Sequence, residues 1–579
     1  MKGSLEQPVR PLYKTKTKHK VKIRQGWFTG WVLLLILLGL ITVVVLPLIY
    51  MFRQAFFDVS GNGVGLANFT KYFSSPSLLL SLLHSVTISI ITTGIVLPLA
   101  FGLAYILART DIKGKAFFKG LALLPLFAPT MMHGLALTYL FGNQGLITTG
   151  FFGALPFTWD FPLYGPVGIV LSEIIYTFPQ AFLILLAGLS VSDYRLYEAA
   201  DSMGASHLRK MWTITLPSVK YAMLSAAMIC FTLSFTDFGA PKVVGGQYNV
   251  LATDIYKQVV GQQNMPMGAV VGILLTIPAV LAFILDRVVT RKQQAYVTSR
   301  SVPYTIKQHK IRNAVSYLYA GTISFLILTL MGAVLLAAVV KKWPYNMSFT
   351  LANFDFSKAA AGGFHPFWNS VQVAALTAVF GTIIIFTVAY LIENTQGFRP
   401  VRQGIYFLSI LPVALPGLVI GLSYIYFFNH PSNPLNFIYG TMAILVLANI
   451  IHFYSVPFMT ATTTLKMMDK EFDQVSESMN VSRWKTFLRV TVPLSLPAIL
   501  EMGIYLFVNA MVTISAVVFL YGADLRLASI VIVNMDDAGD TAQAAAMSIL
   551  IVMLNLLVRG GYEALTARLR KRSAAWQRR

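Results

Sequence analysis

Leu66-Ala67-Asn68-Phe69 recurs further along the chain as Leu351-Ala352-Asn353-Phe354, a displacement of 285. The same displacement carries Ser85-Val86 onto Ser370-Val371 and Ala104-Tyr105 onto Ala389-Tyr390. A displacement of 287 carries Leu124-Pro125, Pro129, Gly134 and Tyr139 onto Leu411-Pro412, Pro416, Gly421 and Tyr426. One of 276 carries Ser202-Met203, Ser206 and Pro217 onto Ser478-Met479, Ser482 and Pro493. The matches keep their order across almost all of both halves, so the chain is two fused copies of one unit.

Hydropathy says what the unit is. Of 579 residues 56% are apolar and only 12% charged, with a mean hydropathy of +0.66. These values exclude soluble globular, disordered and coiled-coil chains. The single Cys230 excludes an intrachain disulfide. Apolar stretches long enough to cross a bilayer begin at Trp27–Met51, which lacks a cleavage site and reads as a retained span. Eleven more follow, near Leu82–Leu107, Gly120–Phe141, Val167–Ser190, Ala222–Gly239, Ala269–Val288, Val315–Val340, Asn369–Ile392, Ile405–Phe428, Gly440–Val456, Met502–Phe519 and Ala544–Leu557.

The connections alternate in charge. Gly142–Gly165 and Asn429–Phe437 hold almost no Lys or Arg, whereas Arg109, Lys113, Lys115 and Lys119 fill one connection and Arg195, Arg209, Lys210 and Lys220 another. Basic residues also crowd both tails and the central stretch from Arg287 to Arg312. Lys and Arg collect on the cytosolic side, which predicts twelve spans with both ends in the cytosol. The expected fold is therefore an all-α integral membrane protein of two tandem six-helix units related by an axis along the membrane normal. The expected divisions are a basic tail (1–26), a first unit (27–288), a basic linker (289–314), a second unit (315–558) and a second basic tail (559–579). The net charge of +22 then reflects topology and attraction to anionic lipid, not nucleic-acid binding.

One connection in each unit is long and helical in character. In the first it reads Glu198-Ala199-Ala200-Asp201-Ser202-Met203-Gly204-Ala205-Ser206 and runs on to Leu216-Pro217. Small and charged residues favour a short helix under the membrane, and Gly204 supplies the left-handed conformation that reverses the chain into a knob. This resembles the signature loop of ABC-importer permeases, in which Glu-Ala-Ala is followed at a fixed interval by Gly. The resemblance implies a type I importer fold, two ABC ATPase subunits that take the knobs into grooves, and an extracytoplasmic solute-binding protein. It implies no cofactor and no enzyme activity in this chain, since ATP is used by the partner. The second unit departs from the pattern, reading Gln474 where the Glu stands, then Glu477, and Asn480 where the Gly stands. Asn tolerates positive φ, so the turn can persist.

The resemblance extends over nearly the whole chain to fused permeases of the ferric-iron, thiamine and 2-aminoethylphosphonate group. Phe235-Thr236-Asp237-Phe238-Gly239 is similar to a motif shared by several members. Pro416-Gly417-Leu418-Val419-Ile420-Gly421-Leu422-Ser423-Tyr424, Val508-Asn509-Ala510-Met511 with Ser515-Ala516-Val517, and Asn534-Met535-Asp536-Asp537-Ala538-Gly539-Asp540 look most like the 2-aminoethylphosphonate permeases. The expected cargo is accordingly a phosphonate, with ferric iron or thiamine as the alternative. An ion-coupled secondary transporter with parallel halves also fits twelve spans.

No GxxxxGK[ST] phosphate loop occurs, and no nucleophile, paired-acid or metal-ligand spacing supports an enzyme or a metal centre. Ionisable residues inside spans are costly, so Asp237, Glu173, His133 and His452 are the pathway candidates. Glu501, near a span start, reads as hydrated. Asp536, Asp537 and Asp540 lack the ligand spacing of a calcium loop, would repel an anionic cargo, and read as an exposed surface for docking the binding protein.

Overall fold

A computed structural model describes residues 18–154, 156, 158–190, 193–296, 306, 309–357, 362–395, 397–469, 471–479, 481–522 and 524–577. Among these, eight helices are long and apolar enough to cross a membrane, or eleven if three bent pairs each count as one span. The bent pairs are Arg399–Ala414 with Gly417–Phe428 (114°), Met442–His452 with Ser455–Met467 (57°), and Arg483–Leu494 with Leu496–Val512 (75°).

The expected span Gly120–Phe141 is not one straight helix. It is Lys115–Ala122, a 3-10 turn Leu124–Phe127, and Thr130–Phe141. Its counterpart breaks in the same way at Leu411–Ala414. Each break holds two prolines, Pro125 and Pro129 or Pro412 and Pro416, which withdraw amide donors and set an extended residue before Thr130 and Gly417. The expected span Met502–Phe519 also shifts. Its helix begins before Met502 and stops at Val512, because Thr513 turns extended.

Element bounds repeat with the same displacements as the sequence. Arg195–Ser202, His207–Lys210 and the π-turn Met211–Thr215 reappear, displaced by 276, as Glu471–Ser478, Arg483–Thr486 and Phe487–Thr491. Each π-turn runs into a proline at the second position of the next helix, Pro217 or Pro493, whose ring cannot join a tight ladder. The Leu-Ala-Asn-Phe motif performs one task twice. Asn68 Nδ2 donates to the carbonyls of Ala55 (2.9 Å) and Phe57 (2.8 Å), and Asn353 Nδ2 to those of Ala338 (3.1 Å) and Val340 (2.7 Å), closing the end of each unit's first helix. Likewise Leu251 N–H donates to Ser85 Oγ (2.8 Å) and Ala528 N–H to Ser370 Oγ (2.7 Å), so a serine from a neighbouring helix caps each short helix start.

The units interleave. Tyr424 of the second unit donates to the Val43 carbonyl of the first span, Thr29–Gln54 (2.9 Å), and Tyr319 of the helix Lys310–Val339 to the Leu99 carbonyl of the first unit (2.9 Å). Asn555 near the C-terminal end donates to the Phe127 carbonyl at the first proline break (3.0 Å). In an apolar solvent such polar ties and close packing hold helices together. Leu35, Leu83, Phe325 and Ile383 stay exposed, as residues facing acyl chains do. A two-stranded antiparallel hairpin, Val340–Lys342 with Asn346–Phe349, follows the helix Lys310–Val339.

Candidate functional site

Beside the first proline break, a cavity of about 100 Å3 opens between the units. Thr130, Tyr176 and Asp237 line it from the first unit, and His452, Asn509 and Ser515 from the second. Helix ends deliver the walls. Leu216–Thr236 stops at Asp237 (φ −71, ψ 138) and Leu496–Val512 stops at Thr513 (φ −71, ψ 141), the same conformation at equivalent places in the two units. Asp237 then accepts a hydrogen bond from the Ala240 N–H (2.9 Å) and so opens the next short helix, Gly239–Val244.

Glu173 lies beside Asp237, fully buried, on the helix Pro166–Ser190. Neither of its carboxylate oxygens finds a hydrogen-bond donor of good geometry. Its equivalent, Asn449, is equally buried, and its side-chain nitrogen and oxygen are unpartnered too. Both sit where burial without a partner is expensive.

Of the sequence candidates, Glu173, Asp237 and His452 are brought to one place. His133 is buried with its ring 6.5 Å from that of Tyr176 and does not line the cavity. Glu501 pairs with Arg559 (3.0 Å), away from the cavity. Sequence reasoning missed Tyr176, Asn449, Asn509 and Thr513. The displacement of 276, applied to Glu173 and Asp237, would have found Asn449 and Thr513. Among the described residues no group of three or more His, Cys, Asp or Glu could hold a metal ion.

At the end of the molecule richest in Lys and Arg, Glu198 and Ala199 face outward on the helix Arg195–Ser202 while Ala200 is buried. Gly204 takes φ +67 with open space around it, and Ser206 accepts from the Arg209 N–H (3.3 Å) to start the next turn. Met203, Leu208 and Trp212 are left more than two-thirds exposed. Arg109 packs over the Tyr197 ring (5.4 Å) and donates to the Leu189 carbonyl (2.8 Å), fastening the loop to the bundle. In the second unit Gln474, Met479 and Trp484 are exposed in the equivalent places. Asn480 and the side chain of Glu477 lie outside the described residues.

The expected exposed acidic loop is only partly a loop. Asp536 and Asp537 end the helix Ala528–Asp537, Asp536 and Asp540 are half-buried, and Asp537 pairs with Lys242 of the first unit (2.9 Å). The short helix starting at Gly239 points Lys242 there, so part of the acidic charge is neutralised within the molecule.

Residues 97–295 and 386–571 match the family described as binding-protein-dependent transport system inner membrane component. The chain is 29% identical to a putative ferric transport system permease protein, FbpB 1, of Haemophilus influenzae, over 88% of this chain and 80% of that protein. It is 29% identical to the ferric transport system permease protein FbpB of Actinobacillus pleuropneumoniae, over 93% and 79%. A putative 2-aminoethylphosphonate transport system permease protein, PhnU, of Salmonella typhi is 26% identical over 42% of this chain and 84% of that protein. With the family matched once in each half, the chain belongs to the binding-protein-dependent transport system inner membrane components, as two ABC-importer permease units fused in one multi-pass polypeptide.

Proposed function

We propose that this permease passes ferric iron through the cavity between its units, rather than the phosphonate that the sequence motifs favoured. The observation that carries the reading is the cavity wall: among the described residues it presents the Asp237 carboxyl, backed by Glu173, and no Lys or Arg. Such a wall attracts a cation and repels a phosphonate. The ferric relatives, matched over most of both units, support the same choice.

Both termini and the basic linker face the cytosol in this reading, as the Lys and Arg distribution predicts. Separate ATPase subunits bind ATP and seat the Glu198–Gly204 knob and its counterpart around Gln474–Asn480. An extracytoplasmic binding protein docks at the opposite end, where the turn Asp537–Asp540 and the hairpin Val340–Phe349 emerge. Closure of the ATPases drives the knobs and rocks one unit against the other, opening the cavity to alternate sides.

The test is uptake in a strain lacking this gene. Loss of radiolabelled ferric-iron uptake, restored by the gene, with unimpaired growth on 2-aminoethylphosphonate as phosphorus source, is the expected result. The reverse pattern would return the cargo to a phosphonate.

A further inference from the structure

The two units contribute unequally to the cavity between them. The displacement of 276 that matches helix ends, π-turns and extended residues also pairs the polar positions: Glu173 with Asn449, Tyr176 with His452, and Asp237 with Thr513. Burial follows the same register, since Ile169, Phe182 and Leu185 are buried like Leu445, Phe458 and Ala461. Every acidic member of these pairs belongs to the first unit, and every member from the second is neutral in its unprotonated form.

We propose that Glu173 and Asp237 form a one-sided site for a hard cation, the point at which the cargo is held in transit. The proposal rests on the cation-cargo reading above and names the atoms that would serve it. Two adjoining carboxyls, with no Lys or Arg among the described residues of the cavity wall and the His452 imidazole as its one basic group, are stabilised by a proton or a cation between them. Glu173 is fully buried and neither oxygen receives a hydrogen bond of good geometry, so it has acceptor capacity that the fold leaves unused. Asp237 accepts from the Ala240 N–H, has the Thr130 hydroxyl, the Phe238 backbone and the Glu173 carboxyl within hydrogen-bonding reach, and lines the cavity. Thr130 and Tyr176, beside Asp237, add neutral oxygens.

Oxygen donors of this kind suit a hard cation rather than a soft one. Two carboxyls without a third acid hold it weakly, which is what passage requires. A tight resident site would stop transport. Asn449 and Thr513 leave the second unit's side without an acid, and His452 brings no negative charge there, so the cation is attached to one unit and can be carried with it when the units rock.

The experiment is terbium(III) titration of the purified full-length chain in detergent, reading luminescence sensitised by Tyr176 and its aromatic neighbours. One saturable site is expected, weakened at least tenfold by Asp237→Asn and by Glu173→Gln, and changed less than twofold by Asn449→Gln. Asp237→Asn keeps an oxygen for the Ala240 N–H, so it preserves the helix start and remains informative if Glu173→Gln folds poorly. Unchanged terbium affinity in Asp237→Asn would overturn the proposal, as would equal weakening by Asn449→Gln. Cargo and site are separable. Phosphonate uptake with terbium still bound at the pair would overturn the ferric reading and the pair's role in holding the cargo, leaving only a cation site. Ferric uptake with terbium indifferent to both acids would overturn the site and leave the ferric reading standing.

Discussion

Lys242 Nζ of the first unit stands 2.9 Å from Asp537 Oδ1 of the second, an ion pair that ties the two units together at the end remote from the Lys- and Arg-rich loops. The Asp537 side chain is half exposed and that of Lys242 about a quarter. Screening by solvent therefore limits its worth to about 0–1 kcal/mol. A double-mutant cycle of Lys242→Met and Asp537→Asn, followed by thermal unfolding in detergent, is expected to give a coupling energy in that range that shrinks in high salt. A coupling above about 2 kcal/mol would mean that the pair is desolvated in the native protein.

Beside it, burial raises the Asp536 carboxyl to about 6, with the charge of Asp537 adding to the rise and Lys242 opposing it. The folded value exceeds the unfolded one, so the protonated form is favoured by folding. This contribution is complete below about pH 4 and is lost as pH rises through 6. Asp536→Asn is expected to flatten the unfolding midpoint between pH 4 and 6. A profile identical to that of the parent protein would show that Asp536 titrates as an ordinary carboxyl.

Gly204 has φ +67 and nothing within reach of an added Cβ, so substitution there costs backbone strain alone. Gly204→Val is expected to cost about 1–2 kcal/mol locally and to impair ATPase coupling, with Gly204→Asn clearly milder. Transport and transport-stimulated ATP hydrolysis in the assembled complex measure the difference. Equal activity of the two variants would separate the turn from coupling.

Thr130 touches Gly239 in the first unit, and their equivalents Gly417 and Ser515 touch in the second with the larger partner exchanged. An added Cβ on Gly417 would collide with Ser515 Oγ and lie 3.1 Å from His452 Cε1. Gly417→Ala should destabilise by about 1–3 kcal/mol. Combining Gly417→Thr with Ser515→Gly copies the first unit's arrangement and should recover much of the loss of Gly417→Thr alone. No recovery in the unfolding midpoint would show that the neighbouring His452 sets the limit.

Asn353 satisfies two carbonyls from a buried position, whereas Asn68 does so from a partly buried one. Replacing Asn353 by Ala is expected to cost about 1–3 kcal/mol, because the Ala338 and Val340 carbonyls lose their donor. Asn68→Ala should cost less, since water can replace the amide. Unfolding midpoints of the two variants provide the comparison.

The sequence alone determined the duplication and the membrane class, and it marked the helical connections Arg195–Ser202 and Glu471–Ser478. Repetition is written residue by residue, and bilayer crossing depends on hydropathy, which sums along the chain without regard to partners. Gly204 was legible because positive φ is a local property of one residue and its neighbours. The breaks at Pro125–Pro129 and Pro412–Pro416 were present as letters but read as parts of continuous spans, since hydropathy does not register a lost amide donor. Only tertiary structure decided that Asp237 and His452, which belong to different units, line one cavity beside the first break, with Glu173 behind. It also decided that the acid at 537 is paired with Lys242 of the other unit. The energy of a buried charge depends on what other segments bring within a few ångströms, and that distance is not encoded at any one place in the chain.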